Sequence, residues 1–316
     1  MRVGGHRTGS LRGGCPRHRE SLGAGCADPH PLTNWSSLVQ PHTVLTHRVI
    51  DTNALQSPDL GAYLAADRQH MAVLTEYAGI EVQKGNTLKS IFRAPEILSA
   101  YPEQVLILKG TQILCGLRNS RAWGLARRLI DERATADFAN YCNQLRKAQT
   151  GDLRLQAQIQ QRGRDATAIA DRILSAVPDI TDGRCQVANA YTEAEKRVLR
   201  THGIITKELG EKILRNVAVL AALLFRNHPR VTQWPDVDTV CNRYLFRYAL
   251  CAHLWLLDWI SDGSNESRDP TRVRNDMIDL HFATCATYFD GLMSSDAKTI
   301  RVHRETTRHL ALMARS

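Results

Sequence analysis

The stretch Arg274-Asn275-Asp276-Met277-Ile278-Asp279-Leu280-His281-Phe282-Ala283-Thr284-Cys285-Ala286-Thr287-Tyr288-Phe289-Asp290-Gly291-Leu292-Met293-Ser294-Ser295-Asp296 decides how this chain is read. It passes from a helix-period segment into the short apolar run Leu292-Met293 and then into Ser-Ser-Asp. Asp276 and Asp279 stand three apart, so they share one face of the helix. A segment of the same kind lies far earlier, Arg48-Val49-Ile50-Asp51-Thr52-Asn53, in which Asp51 closes the run Val49-Ile50. Two strand-like runs that each lead to a carboxylate predict an α/β protein with acidic residues at the carboxyl edge of a parallel sheet. Open α/β folds keep their sites at that edge.

Carboxylates gathered at one edge repel, and they take up protons unless a divalent cation offsets their charge. Oxygen-only ligation suits Mg²⁺ or Mn²⁺. Such an ion usually serves phosphoryl chemistry, because it polarises a phosphate oxygen and activates water.

In these elements the chain resembles the PIN-like nuclease superfamily. Members of that family open on an apolar strand ending in Asp-Thr-Asn and close on an Asp-bearing helix, a small apolar strand and a further Asp. Ile50-Asp51-Thr52-Asn53 matches the first element, and Asp276 to Asp296 matches the last. The family's second acidic residue lies on a helix after the second strand, shortly before Lys-Gly. Here Val73-Leu74-Thr75 leads to Glu76, and Ile80-Glu81-Val82-Gln83-Lys84-Gly85 follows, with Glu81 the better match and Glu76 the alternative. By its distance from Asp296, Asp279 matches the third carboxylate, and Asp276 is a second ligand or a supporting neighbour.

The resemblance implies a three-layer α/β/α sandwich around a small parallel sheet, interrupted by a large helical insertion. It also implies a Mg²⁺- or Mn²⁺-dependent ribonuclease in which Asp51, Glu81, Asp279 and Asp296 are catalytic and, with Asp276, hold one or two ions. Asn53 would orient Asp51, and Thr52, Ser294 and Ser295 would donate hydrogen bonds to carboxylates. Lys84, Lys109 and Arg274 would meet the phosphates of RNA or DNA. Compact members are often toxins held by an inhibitory protein, so the resemblance implies a partner of that kind, and a homodimer is a further expectation. The alternative is a nucleic-acid-binding or protein-interaction module that keeps the fold without cleavage.

At 316 residues and a net charge of +9, the chain can bury a full core and favours a polyanionic partner. Its eight cysteines, at 15, 26, 115, 142, 185, 241, 251 and 285, form no Cys-x-x-Cys pair. That argues against a zinc knuckle or a disulfide framework and fits reduced thiols in the cytoplasm. Cys251 with His253, and His303 with Glu305 and His309, lack zinc-protease spacing. The run Val217 to Phe225 is too short to cross a bilayer, so no membrane span is expected. The Gly-x-Ser-x-Gly, Walker and Gly-x-Gly-x-x-Gly signatures are all missing.

Along the chain, 1–42 reads as a disordered basic extension, with Arg2, Arg7, Arg12, Arg17 and Arg19 among glycines. The first part of the α/β core, 43–119, predicts strands at Arg48 to Asp51, Met71 to Thr75 and Gln104 to Lys109. Helices are expected from Pro58 to Arg68, around Glu81, and from Thr87 to Tyr101 with a break at Pro95. The insertion, 120–262, predicts helices at 120–132, 134–148, 152–175, 191–201, 206–227 and 236–261, with a break at Pro178 to Arg184. The last part of the core is 263–316. In the helix at 236–261, Leu245, Tyr248, Ala252, Trp255 and Trp259 mark a core face, and Arg243 and Arg247 are expected to reach the acidic edge.

Overall fold

The computed structural model describes residues 45–84, 88–118, 124–201, 203–263 and 269–314; the basic extension expected over 1–42 lies outside them. Four short strands, β1 (Thr46–Ile50), β2 (His70–Leu74), β3 (Val105–Ile107) and β4 (Gly291–Met293), form a parallel sheet in the order β3-β2-β1-β4. Val49, Ile50, Ala72 and Val73 are each 0% exposed, as expected for strands covered on both faces.

Helices supply that cover. The first group is α1 (Pro58–Ala66), α2 (Glu76–Gln83), α3 (Leu88–Arg93), α4 (Glu96–Ser99) and α5 (Thr111–Gly116). A second group follows: α6 (Leu125–Leu129), α7 (Glu132–Ala136), α8 (Phe138–Gln149), α9 (Leu153–Ser175) and α10 (Val177–Asn189). The last is α11 (Glu193–Arg200), α12 (Lys207–Asn227), α13 (Tyr244–Ser261), α14 (Pro270–Ala286) and α15 (Ala297–Met313). The protein is thus mostly helical around a small parallel sheet, in the α/β class.

Strand side chains alternate between the faces. Val49 and Val73 pack with Val217, Phe225, Leu250 and Phe282 of α12, α13 and α14. Ile50, Ala72 and Val105 pack on the opposite face with Leu60 and Leu64 of α1, Leu98 of α4 and Phe138 of α8. One polar clamp ties α1 to the strands: Gln104 Nε2 donates to the carbonyls of Leu64, Asp67 and His70 at 3.0, 2.9 and 2.8 Å.

The strand order fixes the position of the site. The chain steps outward from β1 through β2 to β3, and then β4 pairs on the other side of β1 with Ile50 opposite Met293. The direction reverses between β1 and β4, so a crevice opens beyond the carboxyl ends of those two strands.

Several expected boundaries move for local reasons. Pro178 to Arg184 is not a break but part of α10, because Pro178 falls in the first turn, where its missing N–H costs nothing. The helix expected over 120–132 is cut at Ile130, which bridges Leu108 beside β3, and Asp131 then caps a new helix through Ala134 N. Its first residues, 119–123, lie outside the described ones. The helix expected over 236–261 begins as a 3-10 turn, Val237–Asn242, before α13. The expected strand over Gln104 to Lys109 shortens to β3 because Pro102–Gln104 forms a 3-10 turn.

Helix α13 is apolar nearly all round, so it lies inside the helical layer instead of on its surface. Trp255 and Trp259 are 5% and 2% exposed, as expected, while Tyr248 and Ala252 are only half-buried.

Candidate carboxylate site

Asp51 follows β1 directly and is 2% exposed. Its Oδ2 accepts from Asn53 Nδ2 at 2.7 Å and from Ser294 Oγ at 2.5 Å. The Ser294 hydroxyl oxygen in turn accepts from Asp296 N at 3.0 Å, and Ser295 N donates to Asn53 Oδ1 at 2.9 Å. These bonds lace the turn after β1 to the turn after β4, across the crevice that the strand order creates. Asp296 also caps α15, its Oδ1 accepting from Thr299 N at 2.7 Å.

The helix after β2 brings one glutamate to this lacework. Glu81 Oε2 accepts from Thr52 Oγ1 at 2.6 Å, and Glu81 Oε1 pairs with Lys84 Nζ at 2.7 Å. Glu76 points elsewhere: its Oε2 accepts from Thr111 N at 2.7 Å, at the start of α5.

The third contribution comes from α14. Burial and the charges of Asp51, Asp296, Glu81 and Asp276 push the Asp279 carboxyl up to about 8. Asp51 is also raised, chiefly by burial, with Glu81 adding to the effect and the Ser294 hydrogen bond opposing it. Carboxylates from four separate segments therefore act on one group. They share an electric field, which extends over several ångströms in a poorly screened interior. Ion ligation needs oxygens about 2.0–2.6 Å from the metal, and among the described residues no three His, Cys, Asp or Glu side chains stand together in that way. Like charges held apart and lysines drawn in explain the difference: Lys84 pairs with Glu81, and Lys298 Nζ lies 3.8 Å from Asp276.

Lys298 and Thr299 were not singled out in the sequence, although both line a niche of about 10 Å³ beside Asp276 and Asp279, room for about one water. The signal for them was the Asp296-Ala297-Lys298-Thr299 cap itself, because a helix starting on Asp296 must carry its first turn back over the acidic edge.

The residues expected to meet phosphates are differently placed. Lys84 is committed to Glu81. Lys109 donates to the Arg128 carbonyl at 2.7 Å and lines an open groove of about 660 Å³ with Arg127 and Arg128 beyond β3. Arg274 donates to the neighbouring Asn275. The expected reach of Arg243 and Arg247 to the acidic edge is corrected. Both are buried, and Arg247 stacks 3.9 Å over Tyr288 while donating to the Cys241 and Thr287 carbonyls. Because α13 is enclosed by other helices, its arginines find carbonyl partners inside.

The described cysteines are free thiols. Among the described residues no helix is long and apolar enough to cross a membrane. Comparison with protein-family models, with curated proteins and with solved structures finds no match to the chain.

Proposed function

We propose that this protein is a divalent-metal-dependent nuclease of PIN-like architecture that hydrolyses phosphodiester bonds in RNA. The observation that carries this reading is Asp279, a carboxyl raised to about 8 by burial and by four acidic neighbours. An anionic set left uncompensated in this way fits a hard divalent cation, and its all-oxygen donors suit Mg²⁺ or Mn²⁺.

Asp51, Glu81, Asp279 and Asp296 would hold the ion, with Asp276 beside them. When bound, the ion supplies Lewis-acid polarisation of the phosphate and neutralises charge. The remaining work belongs to the chain. Ser294 and Asn53 fix the orientation of Asp51, and Thr52 fixes that of Glu81. Lys298, 3.8 Å from Asp276, holds a positive charge at the inner wall. Lys109, Arg127 and Arg128 give a polyanion a basic approach beyond β3. A net charge of +9 favours the same substrate class.

The second reading is a binding module without cleavage, and the Lys84–Glu81 and Lys298–Asp276 pairs favour it because they already offset part of the acidic charge. Incubation with end-labelled single-stranded RNA separates the two. The nuclease reading expects cleavage in Mn²⁺ that EDTA abolishes and fresh Mn²⁺ restores, whereas binding with no cleavage in either metal supports the module.

A further inference from the structure

A second concavity lies in the helical layer, away from the crevice between β1 and β4. Helices α10, α12, α13 and α14 enclose a cavity of about 490 Å³, within the size range of small-molecule sites. Leu220 of α12 and Met277 of α14 give it apolar walls, and polar groups are few. His253 lines it as a neutral ring, bonded at 2.9 Å to Tyr191 and kept from protonating by burial.

Two features of that wall point to a ligand. The Arg184 side chain is 5% exposed, with its guanidinium 4.1 Å from the Trp259 ring and 5.4 Å from the Trp255 ring, so a fixed positive charge lines an apolar chamber. The Trp255 indole is 5% exposed, and its Nε1 is buried with no acceptor. A buried donor in that condition calls for a partner that the chain itself does not provide. At the mouth, a side chain added at Gly183 would meet nothing within 4 Å, so the glycine leaves the entrance open. The carboxylate lining the cavity, Asp179, is exposed to solvent.

We propose that this cavity binds an amphiphilic carboxylate, a small molecule with an apolar body and one anionic acceptor group. The apolar body replaces water against Leu220 and Met277. The carboxylate meets the Arg184 guanidinium and accepts from Trp255 Nε1. Trp255 also lines the niche beside Asp276 and Asp279, so the ligand would sit one side chain away from the acidic site.

Calorimetric titration of the full chain with sodium decanoate, below its micellar concentration and without metal or RNA, tests the site independently of the nuclease reading. The expected result is saturable one-to-one binding with a change in tryptophan fluorescence, and binding of decyltrimethylammonium at least about tenfold weaker. Gly183→Phe, which fills the entrance without a clash, should weaken decanoate about tenfold or more while the circular dichroism stays unchanged. Ala252→Leu, from the opposite wall, gives the same readout should Gly183→Phe fold poorly. No saturable binding, equal binding of the two amphiphiles, or full binding by a folded cavity-filling variant would overturn the proposal.

Discussion

Ser294 Oγ donates to Asp51 Oδ2 at 2.5 Å, joining residues 243 positions apart in the chain across the carboxyl ends of β1 and β4. The same hydroxyl oxygen accepts from Asp296 N, so one serine links the two aspartates that bracket the crevice. Removing it leaves a buried carboxylate short of a donor. Ser294→Ala should therefore cost about 1–3 kcal/mol in urea unfolding, the range for hydrogen bonds to charged groups. No measurable loss would mean that the crevice is not laced together through this residue.

The Gln104 clamp makes a prediction about the fold alone. Its amide has two protons for three carbonyls, so one proton is shared, and Gln104→Leu leaves buried carbonyls at both ends of the α1 to β2 connection unsatisfied. A loss of about 1–3 kcal/mol is expected. Cleavage by the surviving folded protein should be unchanged, because the clamp lies away from the carboxyl edge.

The elements that carry a period or a punctuating residue were legible in the sequence. Val49-Ile50-Asp51 and Leu292-Met293 read as strands that each lead to a carboxylate, and they pair directly. Asp276 and Asp279 read as one helical face, and both line one niche. Pro178 read as a breaker because composition cannot tell a loop proline from one in the first turn of a helix; only the joint at Ala176 decides that. Arg247 read as a surface base because a guanidinium on a helix ordinarily seeks water, and only the enclosure of α13 turned it inward. The Glu76 and Glu81 alternatives needed β3, since the bond from Thr111 to Glu76 exists only once that strand is in place.

That difference between the glutamates can be measured. Glu81→Gln removes a charge from the field around Asp51 and Asp279, and cleavage should fall by at least about 100-fold, or about 2.7 kcal/mol in transition-state stabilisation. Glu76→Gln should leave cleavage within about twofold, its cost appearing as stability lost at the start of α5. The opposite ranking would return Glu76 to the site.

Stability should depend on pH through Asp279. Its carboxyl ionises near 3.8 in an unfolded chain but is pushed up to about 8 in the folded one. Between those values the folded state holds a proton that the unfolded state has lost, so this group makes stability fall as pH rises from about 4 to about 8. His253 and His281, lowered to about 4 and about 3 by burial, act in the opposite sense below about 6.5. The difference between wild type and Asp279→Asn isolates the aspartate. In metal-free buffer at pH 8 the variant should melt about 3 °C or more above wild type, with the gap closing toward pH 4. A gap that widens on acidification would contradict the raised carboxyl.

The central claim is that the carboxylates at the β1/β4 crevice hold a divalent ion used in cleavage. Mn²⁺ titration followed by electron paramagnetic resonance tests it most directly, run on wild type and on Asp51→Asn and paired with single-turnover cleavage of single-stranded RNA. The account predicts saturable Mn²⁺ binding by wild type, binding weaker by at least about tenfold in the folded variant, and cleavage falling with it by orders of magnitude. Equal Mn²⁺ binding by both proteins, or cleavage by Asp51→Asn at the wild-type rate, would contradict it.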